Sequence, residues 1–90
     1  MKTYLNKETN EKLEAVQWNG DSSVFQDWQH QLGHLPFTYQ QFPRLRIQNT
    51  ISKIDHMYIV DIGGWVIRDR KNLFKGLKNS QFKLNYTLIE

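Results

Sequence analysis

Ninety residues, 39% apolar, 23% charged and 13% aromatic, suffice for one small domain (residues 1–90) with its own core and exclude a disordered chain. The absence of Cys removes disulfides, thiolate chemistry, cysteine zinc sites and iron–sulfur clusters, and no apolar run approaches the roughly 20 residues that cross a bilayer. Net charge is +3 but uneven: residues 1–43 carry three Lys against five acids, a balance of −2, and residues 44–90 carry nine basic side chains against four acids, a balance of +5.

The start, Met1 to Lys7, has no signal-peptide apolar stretch, so a cytoplasmic location is expected. Residues 1–12 are polar and without a clear period, and Lys7-Glu8-Thr9-Asn10-Glu11-Lys12 reads as a loop or a short helical turn. Leu13 to Trp18 reads as a strand with Val16 and Trp18 on one face, and Asn19-Gly20-Asp21 supplies a turn. The clearest element follows at 23–32. Ser23 and Gln26 form a capping-box pattern, with Asp21 or Ser22 as other N-cap candidates. Val24, Phe25, Trp28 and Leu32 then fall on one helical face, and Gly33 stands at the C′ position.

Beyond Leu35-Pro36 the period changes to two. Phe37 to Phe42 suits a strand that ends or lies at an edge because of Pro43, and Leu45 and Ile47 alternate with Arg44, Arg46 and Gln48. Residues 49–55 read as a turn region. Met57–Ile62 and Trp65–Arg68 are two strong strand runs joined by a tight turn at Gly63-Gly64. A further strand over 72–77, a helical turn over 78–83 and a last strand over 86–89 complete the pattern. The expected fold is α+β, one helix packed on a small, mainly antiparallel sheet. Trp18, Trp28, Trp65, Phe25, Phe74 and Phe82 are the expected core aromatics, each able to hide about 150–250 Å².

Candidate chemistry is sparse. His30 and His34 have a four-residue spacing that suits two metal ligands on one helix, but Gly33 interrupts it and no third ligand is near, so no metal is expected. Ser52, Asp55 and His56 have the residue types of a hydrolase triad, yet four positions of one loop do not converge as a nucleophile, base and orienter must. Gly63-Gly64 lacks phosphate-loop spacing, and Glu8, Glu11 and Glu14 lie in a polar stretch with nothing to raise a carboxyl pKa. No catalytic residue and no cofactor is expected, and the chain reads as a non-enzyme. What remains is a basic set, Arg44, Arg46, Arg68, Arg70, Lys71, Lys75 and Lys78, with Tyr39, Phe42 and Tyr58 as aromatic anchors. Such a set binds single-stranded nucleic acid through phosphate contacts and stacking. Trp18 or Trp65, if exposed, would instead anchor a protein partner.

Two segments carry a resemblance. Glu14-Ala15-Val16-Gln17-Trp18-Asn19-Gly20-Asp21 is similar to the E-A-V-Q-W-x-G-D opening of a family of small uncharacterised proteins from phages and prophages of Gram-positive bacteria. Val60 to Arg68 resembles that family's V-x-V-G-D-[YW]-I-I-[KR] stretch, and Phe74, Lys78, Phe82 and residues 86–90 resemble its closing segment. The likeness covers residues 2–28 and 57–90. Gly64 stands where the family has Asp, Leu77 where it has Cys and Asn79 where it has Pro. The resemblance implies a mobile-element origin and a compact α+β fold, and it brings no activity, substrate or cofactor. The expectation is an accessory protein of a phage or prophage, in the host cytoplasm, that binds a protein partner (itself or a host factor), with nucleic-acid binding by the basic half as the alternative.

Overall fold

A computed structural model describes residues 2–35, 37–40, 44–49, 57–71 and 73–89. Among these residues, eight strands form two antiparallel sheets. The larger contains β1 (Thr3–Asn6), β2 (Lys12–Gln17), β6 (Trp65–Arg68), β7 (Phe74–Leu77) and β8 (Tyr86–Leu88), in the order β7-β6-β2-β1-β8. The smaller contains β3 (Phe37–Gln40), β4 (Leu45–Asn49) and β5 (Met57–Val60), in the order β3-β4-β5. A 3-10 turn (Ser22–Phe25) leads into α1 (Gln26–Leu32), and α2 (Asn79–Asn85) joins β7 to β8. The fold is α+β, but richer in strand than one helix on one sheet.

Several expectations change. Within the polar start, the expected turn forms at residues 7–9, but Thr3, Tyr4 and Leu5 pair with Glu14, Leu13 and Lys12, so backbone pairing imposes a strand that side-chain periodicity does not announce. The helix expected at 23–32 opens as a 3-10 turn, and its cap is Asp21, whose carboxylate accepts from the Ser23 amide at 3.0 Å. Gly33 ends α1 at φ 77°, a left-handed backbone that suits glycine. The helical turn at 78–83 extends to a seven-residue helix, with the Gln81 side chain receiving the Lys78 amide.

The largest change concerns the Gly63-Gly64 turn. It does not close a hairpin between its flanking strands, because β5 belongs to the small sheet and β6 to the large one. Gly63, at φ 93°, redirects the chain from one sheet to the other. Trp18 holds the crossing: its N–H donates to the Gly64 carbonyl and its carbonyl receives the Gly63 N–H, both at 2.8 Å.

The large sheet is covered on both faces. One face receives α1 and the inner side of the small sheet, enclosing Trp18, Phe25, Trp28, Phe37, Leu45, Ile47, Val60, Val66 and Phe74. Trp18 stacks on Phe25, and Trp28 meets Phe74 edge-on at 5.0 Å. The two sheets approach closely at Gly76, where a Cβ would lie 2.5 Å from Val60 Cγ2. Among the described residues, the other face receives α2 alone. Tyr4, Leu13, Ala15, Ile67 and Phe82 are buried there, with Phe82 stacked between Trp65 at 3.9 Å and Tyr86 at 4.9 Å. Five of the six expected core aromatics are buried, and Trp65 is half-buried.

Candidate functional site

The two motif-bearing segments lie side by side. β2 and β6 pair from Glu14 with Arg68 to Gln17 with Trp65. Arg68 Nη1 donates to Glu14 Oε1 at 2.8 Å and to Gln31 Oε1 at 3.2 Å, which ties the sheet to α1. Val16 and Trp18 pack into the larger core, Gly20 turns at φ 94°, and Asp21 caps the 3-10 turn. The E-A-V-Q-W-x-G-D residues thus shape and brace the fold. Trp18, only 3% exposed, is no anchor for a partner.

The basic set does not form one surface. Arg44 and Arg46 are exposed on the outer side of the small sheet, and Arg44 pairs with Asp61 at 3.2 Å. Arg68 is half-buried with Glu14 on the α1 side of the large sheet. Arg70, Lys71 and Lys75 lie around a cleft on the α2 side, Arg70 facing Glu11 at 3.7 Å. Lys78 precedes α2. Nor do the anchors join them. Tyr39 and Tyr58 flank Ile47 on the inner side of the small sheet, whereas Arg46 projects outward between Gln40 and Ile59. The Tyr39 ring meets Phe25 at 5.5 Å and Tyr58 packs on the core, so strand alternation parts cation from aromatic. Phe42 lies outside the described residues, as do Ser52, Asp55 and His56. His34 follows the end of α1 at Gly33, and among the described residues no three His, Asp or Glu side chains gather as a metal site would require.

Two surface features stand out in place of the scattered basic set. The first is apolar. On β5, Met57 is 50% and Ile59 53% exposed, and Ile62 in the following turn is 75% exposed. Ile59 and Ile62 line a shallow groove of about 270 Å³ that continues to Leu77 and Lys78. Sequence reading missed this because Met57-Tyr58-Ile59-Val60 is apolar at every position, so its period cannot say which alternate side chains face water. Only Tyr58 and Val60 turn inward, toward Gly76.

The second is the cleft, about 490 Å³, with Leu13 and Ile67 among its lining residues. Tyr86 stands on one side, its phenol pushed above the ordinary range by burial and by the charges of Glu11 and Glu8, with a hydrogen bond to Asn6 opposing. Across from it, the Asp69 carboxylate accepts the amides of Lys71 at 2.8 Å and Leu73 at 3.0 Å. No helix among the described residues is long and apolar enough to cross a membrane.

Comparison with known proteins adds no relative: no family model, no curated protein and no solved structure matches the chain.

Proposed function

We propose that this protein acts by binding a protein partner, itself or a host factor, and not by catalysis, as an accessory protein of a phage or prophage. The mobile-element part of the reading rests on the two motif segments. The binding part is carried by one observation, the three neighbouring exposed side chains Met57, Ile59 and Ile62. Single exposed apolar residues are ordinary, but a contiguous set rimmed by polar groups (here Gln40, Arg46 and Lys78) is the usual mark of a protein interface. β5 is also an edge strand of its sheet, and an apolar edge is a ready template for further pairing. The dispersal of the basic residues favours this reading over nucleic-acid binding, which needs cations and stacking rings on one track.

The test combines molar mass in solution across concentration with capture from a Gram-positive host lysate, for the wild type and for Ile59→Asp. Self-association or a captured protein that disappears with Ile59→Asp is the expected result. A strict monomer that captures nothing but shifts a labelled oligonucleotide in a salt-dependent manner would replace protein binding with the nucleic-acid alternative.

A further inference from the structure

The path of α2 explains why a cleft exists at all. The helix leaves β7, one edge of the five-stranded sheet, and delivers the chain to β8, the opposite edge. It also changes ends. Leu77, the last residue of β7, is level with Trp65 and Gln17, whereas Tyr86, the first of β8, is level with Asn6, whose amide bonds to Glu11. A helix joining diagonal corners covers the middle of a sheet and leaves the other two corners open. One open corner holds the start of β2, the end of β6 and the start of β7, and there the cleft lies.

The walls of that corner differ in chemistry. On one side are Lys71 and Lys75, both exposed and paired with no acid among the described residues. The nearby acids are otherwise engaged: Asp69 accepts two amides of its own turn, and Glu11 faces Arg70. On the other side Asn6 Oδ1 already takes the amides of Glu8 and Thr9. The Thr9 hydroxyl and the Glu11 carboxylate, which Arg70 reaches only at 3.7 Å, keep acceptor capacity. Leu13 and Ile67 are apolar and show only slim exposed edges. At about 490 Å³ the space falls within the range of about 300–1,000 Å³ that holds small organic ligands.

We propose that this corner cleft is a second binding site, separate from the apolar face, for a phosphate ester of the nucleoside monophosphate class. Lys71 and Lys75 hold the phosphate, the flat body lies against Tyr86 and the exposed edges of Leu13 and Ile67, and hydroxyl or amine donors of the body meet Thr9 and Glu11. Two unpaired ammonium groups match a dianion. The acceptor wall favours a body rich in donors over a fatty chain.

The experiment follows backbone amides of the full chain by NMR during titration with adenosine monophosphate, adenosine or inorganic phosphate. Saturable shifts confined to residues 67–75, Leu13 and Tyr86 are expected. Affinity should fall about tenfold or more for adenosine and for inorganic phosphate, and about tenfold in Lys71→Gln/Lys75→Gln. That variant alters only exposed side chains, and its unchanged spectrum elsewhere reports an intact fold. Absence of saturation at millimolar adenosine monophosphate would overturn the proposal. So would equal binding by the double variant, or shifts centred on Met57 and Ile59. Loss of cleft binding leaves the apolar face untouched, because the capture experiment tests that face with a different variant, Ile59→Asp.

Discussion

The two faces of the five-stranded sheet solve the same problem in different ways. One is roofed by a second sheet and α1, and its core is dry: Trp28, Phe74, Leu45 and Val66 are fully buried. Even the Trp28 indole N–H finds no hydrogen-bond partner there among the described residues. The other is roofed, among the described residues, by α2 alone, a seven-residue helix that cannot cover five strands. Its aromatics keep a polar end near the rim. Trp65 Nε1 donates to Asn79 Oδ1 at 2.9 Å, and Tyr4 and Tyr86 carry phenols. Thick roofing makes stability, whereas thin roofing leaves edges, corners and half-wet side chains from which a site can be built.

This contrast yields a first expectation, the largest in size. Phe74→Ala opens a cavity where both sheets and α1 meet, and should cost about 4–5 kcal/mol by denaturant unfolding. Phe82→Ala loses contacts under one thin helix that can relax, and should fall near the lower end of the range, about 3 kcal/mol. Equal losses would break the distinction between the faces.

A smaller effect sharpens it. Gly76→Ala places a methyl 2.5 Å from Val60 Cγ2 and 3.1 Å from Tyr58 Cβ, pressing the two sheets apart. Overpacking of this kind should cost about 1–3 kcal/mol by the same measurement. A neutral result would show that the sheets are not in close contact there.

The smallest expected effect is a pH dependence belonging to the α2 face. Burial raises the Tyr4 phenol above its ordinary value of 10.0, and burial with Glu11 and Glu8 does the same for Tyr86. A raised phenol means that the folded state holds the proton after the unfolded state has released it. The contribution is therefore complete below about pH 10 and is lost as pH rises past it. Tyr4→Phe/Tyr86→Phe should flatten the decline in unfolding free energy between pH 9 and 11, read by denaturant titration at each pH. An unchanged slope would assign that decline to other groups.

Much of the local structure was legible from residue types. Asn19-Gly20-Asp21, Gly33 and the 3.6-residue spacing of Phe25, Trp28 and Leu32 act through neighbours a few positions away, so the turn, the cap and the buried helix face could be read directly. β1 was not legible, because its strand character comes from pairing with β2 and not from its own pattern. The basic set was legible as composition but not as geometry. Arg46 and Tyr39 sit close in sequence and on opposite sides of one sheet.

By itself, then, the sequence determined a cysteine-free α+β chain, its aromatic core residues and its turn-forming glycines, since these depend on intrinsic preference and short-range spacing. Only the tertiary structure decided that Gly63-Gly64 carries the chain between two sheets, that Met57 and Ile59 face water, and that a diagonal α2 leaves a cationic corner open. Those outcomes depend on which strand pairs with which. Pairing is settled by backbone hydrogen bonds and burial across the whole chain, and a uniformly apolar strand can satisfy either side until its partners are in place.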